Sequence, residues 1–342
     1  MKQEVASFLD YVAHSPTVFQ AAQQACDMLD AAGFTRLSEH EAWEILPGGR
    51  YYVTRNRSAL VAFAVPENGF THCQIVASHG DSPTFKLKAH AEGEAAGAYI
   101  RLDVEPYGGM IMSTWFDRPL SIAGRALVRE DGRLVTRLID LDRDAALIPN
   151  MPIHFNRDIN NGYSYNPQVD MLPLFGDKDA KGALGAEIAA KAGVPEADVV
   201  ACDLFLYNRT PASVWGAHEE FFSCPRIDDL ECAATTLLAF LDASGEADSA
   251  CAPVWAMFDN EEVGSSSRMG AESSFLRDVL DRILDAVPHS GQAAARAMAN
   301  SFMLSADNAH ATHPNFPQKA DPCAPVRMGG GVVLKYNASQ KY

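Results

Sequence analysis

The sequence predicts an α/β protein: a mostly parallel sheet flanked by helices, interrupted by an inserted β-rich module. Three observations carry that expectation. Helix and strand signals alternate at both ends of the chain, period-two hydrophobic alternation takes over from Thr84 to Leu141, and four polar clusters fall at or beside the ends of elements of the α/β part.

Each element has its own signal. Val5, Phe8, Leu9 and Val12 recur at helical spacing, so the chain opens on a folded helix and not on an export signal. Ser15-Pro16-Thr17 supplies a cap with proline in the first turn of a second helix, which runs to Ala32 and stops at Gly33. Tyr51–Thr54 and Leu60–Val65, joined by Arg55-Asn56-Arg57-Ser58, form a hairpin, and Gln74–Ser78 is a short central strand ending at His79-Gly80-Asp81. Phe85–Lys88 and Ala98–Val104 then alternate, and Glu130-Asp131-Gly132 turns between Ala126–Val128 and Leu134–Val135. An Asn-rich stretch from Asn156 to Asn166 and an Ala/Lys helix near Ala180–Ala192 complete the insertion. Helices at Leu230–Leu241 and Phe275–Val287 and strands at Val254–Phe258, Phe302–Ala306 and Val332–Leu334 then resume the α/β pattern. The expected boundaries are 1–81 and 225–342 for the two segments of the α/β domain and 82–224 for the insertion.

Composition bounds the partners. With 342 residues, 28 Lys+Arg against 44 Asp+Glu and a net charge of −16, the chain is acidic, which argues against nucleic acid or anionic membrane as its main partner. No apolar run approaches the roughly 18 residues of a membrane span. Seven cysteines, an odd number with no Cys-x-x-Cys pair, suit reduced thiols in a cytoplasmic protein.

The clusters are His79-Gly80-Asp81, Arg226-Ile227-Asp228-Asp229, Asp259-Asn260-Glu261-Glu262-Val263-Gly264 and Ser305-Ala306-Asp307. Ligands of open α/β sheets bind beyond the carboxyl ends of the strands, where these clusters could converge. One nitrogen of His79 could bind a metal while Asp81 holds the other, although a lone His-x-Asp also reads as an ordinary solvated loop pair. Adjacent Glu261 and Glu262 could divide labour, one binding metal and one accepting a proton from water; equally, paired acids at a helix start simply favour the helix dipole. Asp228 and Asp307 add hard oxygen donors, a set that suits zinc, manganese or cobalt and reads as hydrolytic. His310 and His313 follow Asp307 at i,i+3 spacing and have either a metal or a loop-bonding reading, whereas His14, His40, His72, His90, His218 and His289 lack a partner at ligand spacing. There is no Gly-x-Ser-x-Gly elbow, phosphate loop, dinucleotide fingerprint or His-Glu-x-x-His helix.

In this order, Ser78-His79-Gly80-Asp81-Ser82-Pro83, Tyr107-Gly108-Gly109 through Ser113-Thr114-Trp115-Phe116-Asp117-Arg118, Ile153-His154-Phe155-Asn156-Arg157, Pro225-Arg226-Ile227-Asp228, Asp259 through Ser265, Ser305-Ala306-Asp307 with His310 and His313-Pro314-Asn315, and Lys335-Tyr336-Asn337 span nearly the whole chain. The sequence thereby resembles the aspartyl aminopeptidase family of dinuclear zinc metallopeptidases. The resemblance implies a zinc-peptidase-like catalytic domain in which His79 and Asp307 bind one Zn2+, Glu262 binds the other and Asp228 bridges both. It makes Glu261 the general base and Asp81 the group that orients His79, with Lys335 contacting substrate. His154 is a candidate contributor across an interface, and residues 82–224 become a dimerisation domain in a tetrahedral dodecamer acting on peptides, with a preference for an acidic N-terminal residue.

Family members continue beyond the Lys335–Tyr342 stretch and draw a last histidine ligand from that continuation, so the resemblance also implies a truncated chain. Its alternative is a catalytically inactive assembly or binding subunit. A metal-dependent deacylase shares the ligand set and differs in substrate.

Overall fold

The computed structural model describes residues 3–245, 250–286, 291–336 and 338. Val287, His289, Asn337 and Tyr342, named above, lie outside the described residues.

Helix α1 (Gln3–Ala13) buries Phe8, Tyr11 and Val12, the face its spacing predicts. Helix α2 (Val18–Ala31) starts later than expected. Thr17, extended at φ −139° and ψ 169°, is its N-cap and accepts the Phe19 N–H through Oγ1 at 3.3 Å, so Pro16 precedes the cap and does not occupy the first turn. An extended Thr17 can reach back to the orphan N–H groups, whereas Ser15 is packed away at full burial. Gly33 at φ +81° ends the helix as expected.

The chain then lays down β1 (Thr35–Leu37), the hairpin β2 (Arg50–Arg55) and β3 (Ala59–Ala64), and β4 (His72–His79) before leaving for a second sheet. That sheet is built from β5 (Thr84–Ala95), β6 (Tyr99–Tyr107), β7 (Leu120–Glu130), β8 (Arg133–Asp140), β9 (Leu174–Asp177) and β10 (Val199–Asn208), every pairing antiparallel, in the order β8-β7-β10-β5-β6-β9. Asp131 (φ +48°) and Gly132 (φ +76°) make the tight β7–β8 turn. Helix α3 (Pro167–Asp170) precedes β9, helix α4 (Ala183–Ala192) packs Leu184 and Ile188 into this sheet's core, and the small ribbon β11 (Ser213–Trp215) with β12 (Phe221–Ser223) leads the chain back. The Asn-rich stretch from Asn156 to Asn166 is turns.

Helix α5 (Ile227–Ala243), β13 (Cys251–Phe258), α6 (Phe275–Ala286), α7 (Gly291–Asn300) and β14 (Phe302–Ser305) complete the first sheet, ordered β1-β2-β3-β13-β4-β14. β1–β2, β13–β4 and β14–β4 are parallel, while β2–β3 and β3–β13 are antiparallel, so the sheet is mixed with a parallel part. Strand β4 is interior, flanked by β13 and by the edge strand β14. Helices cover both faces. Val61, Phe63, Val254 and Phe258 pack on Phe275, Val279 and Ile283, whereas Leu60, Ala62, Trp255 and Met257 face Ala25, Leu29, Ala233 and Leu237. Burial on both sides explains why β3 reads as an unbroken apolar run. Each buried Val, Leu, Ile, Met or Phe side chain among these contributes roughly 1.5–3 kcal/mol.

One expected strand is absent. Val332, Val333 and Leu334 pair with nothing among the described residues, and Val332 and Leu334 are 95% and 77% exposed. Hydrophobic β-branched residues favour a strand only where a ladder and a face to bury exist, and here neither is present.

Side chains also join the two sheets away from the chain crossings. Gln20 on α2 donates to the Gly124 and Ile139 carbonyls at 3.0 and 2.9 Å, and the Arg125 guanidinium lies 4.2 Å from the Phe19 ring centroid. No helix among the described residues is long and apolar enough to cross a membrane, and no disulfide is formed among the described residues.

Candidate metal centre

Because β13, β4 and β14 run parallel, their carboxyl ends lie on one edge, with Phe258 opposite His79 and Ser305 opposite Ala77. The chain that leaves each strand is polar. His79 ends β4, Asp259–Glu262 follow β13, Asp307 follows β14, and the start of α5 brings Asp228 and Asp229 to the same edge.

His79 is the hub. Its Nε2 lies 3.3 Å from Asp228 Oδ1, 3.9 Å from Glu261 Oε2, 3.9 Å from Asp307 Oδ1 and 4.0 Å from Asp229 Oδ2. Two sets of donor atoms, each mutually within 4.8 Å, share it: His79 with Asp228, Asp229 and Asp307, and His79 with Glu261 and Glu262. Burial works against a charged imidazole, yet Asp228, Asp307 and Asp81 together push His79 up to about 12. The crowding shows on the acids too. Burial, then the Asp228 charge, pushes Glu262 up to about 7, burial pushes Asp229 to about 7, and Glu261 is raised by the same cause. Asp307 goes the other way, lowered by its bond to His79 and further by the Lys335 charge.

The surplus of carboxylates around one imidazole is a fit test for a cation. Carboxylates that draw a proton onto His79 would equally draw a divalent metal ion, and one nitrogen with hard oxygens suits zinc and its neighbours.

Asp81 lies beneath this group, 3% exposed. Its Oδ1 is 3.3 Å from His79 Nδ1 and accepts the Glu261 N–H at 3.2 Å, while Oδ2 accepts the Tyr107 hydroxyl at 2.7 Å and the Glu262 N–H at 3.1 Å. Burial opposes its ionisation, but bonds from His79 and Tyr107 hold it below the usual carboxylate range. Two sequence neighbours behave oppositely: the Asp228 side chain is 53% exposed toward the open side, while Asp229 is fully buried and accepts the His79 N–H at 3.3 Å and Asn308 Nδ2 at 3.1 Å.

The structure thus brings His79, Asp81, Asp228, Glu261, Glu262 and Asp307 together, with Lys335 within electrostatic reach of Asp307. His154 is exposed and shares no hydrogen bond or ion pair with them among the described residues. His313 uses Nδ1 to accept the Asn315 N–H at 3.1 Å, which is the loop reading, and His310 is exposed. Sequence reasoning gave no role to Asp229, Asn308 or Tyr107. An aspartate pair after Arg226 hinted at the first, but only the folded chain separates its members. A cavity of about 500 Å³ between the two sheets touches the cluster at Asp81 and Asp228; His79, Glu261, Glu262 and Asp307 do not line it.

A family model described as aminopeptidase I zinc metalloprotease (M18) matches residues 11–342. A probable M18 family aminopeptidase 2 of Clostridium acetobutylicum is 41% identical over 356 residues, which cover 100% of this chain and 81% of that protein. Among solved structures, a chain of the Ape4 and Nbr1 complex superposes with a TM-score of 0.90 at 34% identity, covering 95% of this chain and 67% of that one. The S. cerevisiae mApe1 dodecamer gives 0.83 at 28% identity, covering 94% and 76%.

Proposed function

Since the chain belongs to the M18 family of aminopeptidase zinc metalloproteases, we propose that it removes N-terminal residues from peptides at the strand-end cluster around His79. It is a metal-dependent aminopeptidase, and the alternative of an inactive subunit has no support from its relatives. The observation that carries the residue assignment is the convergence of Asp228, Glu261, Glu262 and Asp307 on one imidazole.

In this reading His79 and Asp307 would hold one cation and Glu262 a second, with Asp228 a donor shared between them. Asp229, buried behind Asp228, is a further donor to the first position. Bound divalent ions supply Lewis acidity to the scissile carbonyl and make water a stronger nucleophile at neutral pH. Glu261, half exposed and raised by burial, accepts the proton of the attacking water and returns it to the leaving amine. Asp81 keeps His79 Nδ1 occupied so that Nε2 faces the cluster. Lys335 offers a positive charge to an acidic N-terminal residue.

Zinc is the family's metal and the one proposed here. Residues 82–224 are proposed to carry homo-oligomer contacts, as the mApe1 relative is a dodecamer, and a cytoplasmic location accords with the absence of disulfides among the described residues. Release of 4-nitroaniline from free-amine glutamyl and leucyl anilides, compared with their N-acetyl forms, tests the activity. Acetate release from the N-acetyl forms, with no 4-nitroaniline from the free-amine forms, would make the protein a deacylase.

A further inference from the structure

We propose that Tyr107 is a positioning residue through which the second sheet sets the geometry of the metal centre. The inference rests on the reading of the His79 cluster as that centre. Tyr107 is the last residue of β6, yet among the described residues its hydroxyl bonds only to groups of the first sheet's edge. It donates to Asp81 Oδ2 at 2.7 Å and accepts from Asn260 Nδ2 at 2.9 Å, which uses its one proton and an acceptor position.

The two partners belong to different strand ends. Asp81 follows β4 and is in contact with His79; Asn260 follows β13, has a left-handed φ of +63°, and begins the turn that presents Glu261 and Glu262. Asn260 Oδ1 in turn accepts from Ser267 Oγ at 2.7 Å, which fixes which way the amide faces. One hydroxyl therefore locks together the imidazole and the two glutamates. Without it, Asp81 Oδ2 keeps only the Glu262 N–H, and Asn260 Nδ2 loses its acceptor.

The hydroxyl is itself held from the second sheet. The Tyr107 ring packs edge-on against Phe205 of β10, with centroids 5.6 Å apart and planes at 77°. The next residue closes the same contact: Gly108, at φ +74°, lies so near Glu262 that a Cβ there would come within 2.9 Å of the Glu262 Cβ. The insertion thus contributes to the centre itself, in addition to any part in assembly.

The test is zinc affinity of the 342-residue chain, measured by chelator competition, for wild type, Y107F, Y52F and H79A, with circular dichroism of each metal-free protein to verify folding. Y52F is the control, since Tyr52 is a buried tyrosine whose hydroxyl donates to Asp30 at 2.8 Å, away from the cluster. Y107F should bind zinc about 10-fold more weakly, the low end of the loss when a direct partner of a metal ligand is removed, because the hydroxyl acts one bond further out through Asp81. Y52F should match wild type. Y107F within twofold of wild type, with H79A strongly weakened, would overturn the Tyr107 role alone; H79A equal to wild type would overturn the centre and the inference with it. Should Y107F not fold, Asn260→Gly, which keeps the positive φ and removes the hydroxyl's other partner, carries the same expectation and the same refutation.

Discussion

Replacing Glu261 by Gln isolates proton transfer from metal binding more cleanly than any other change at this site. The side chain is 49% exposed and its backbone N–H is already held by Asp81 Oδ1 at 3.2 Å, so the isosteric amide should leave the turn in place. A stability change within about 0.5 kcal/mol is expected for such a surface position. Asp228, Asp229, Glu262 and Asp307 remain around His79, so metal content should be unchanged. The loss is confined to a carboxylate able to take a proton beside the imidazole. Positioned general bases contribute about 10²–10⁴-fold, equivalent to about 2.7–5.4 kcal/mol of transition-state stabilisation at 1.36 kcal/mol per tenfold. The assay pairs kcat from anilide hydrolysis with zinc per chain from inductively coupled plasma mass spectrometry. A kcat within threefold of wild type at full zinc content would remove Glu261 as the base; a fall in kcat that tracks lost zinc would make it a ligand.

The same geometry fixes further outcomes. Burial pushes Glu262 and Asp229 up to about 7 and Asp259 to about 6, so the folded metal-free protein binds these protons more tightly than the unfolded chain. Their contribution to metal-free stability should therefore be fully present near the unfolded values of about 4 and be lost as pH rises through about 7, the depressed Asp81 and Asp307 acting the opposite way only below about 4; calorimetric Tm values that rise from about pH 4 to about pH 7 would contradict the crowded-carboxylate picture. Gly108→Ala forces a Cβ to within 2.9 Å of Glu262 at a φ of +74°. It should reduce kcat/KM by at least about tenfold, given that a 1 Å misplacement can cost about a hundredfold, and wild-type kinetics would show that Glu262 tolerates displacement. Thr17→Ala removes the α2 cap and should cost about 1 kcal/mol in urea unfolding, with kcat unchanged; no loss would mean that solvent caps the helix as well.

The site was legible in sequence to the extent that chemistry sits at strand ends. Apolar runs such as Ala59–Ala64 and Cys251–Phe258 declare buried strands, and the residues after β4, β13 and β14 must emerge at one edge if those strands are parallel. Placement of His79, Glu261, Glu262 and Asp307 in one neighbourhood needed nothing more. Asp228 and Asp229 show where that logic stops. They are chemically identical neighbours, yet one faces the open side and the other is sealed beneath it, a distinction fixed by the backbone path into α5 and by Asn308 arriving from another strand. Tyr107 was hidden for a related reason. Along β6 it is one more residue of an alternating strand, and only the approach of two sheets sets its hydroxyl on Asp81. Val332–Leu334 failed in the opposite sense: the local pattern was that of a strand, but strand formation is decided by a partner.

If acids from separate strand ends and one imidazole surround paired cations, anomalous diffraction at the zinc edge from zinc-soaked crystals will locate both ions. Two peaks roughly 3.5–4 Å apart are expected, one beside His79 and Asp307, the other beside Glu262, with Asp228 between them. Zinc bound elsewhere with no peak at His79 would contradict that arrangement.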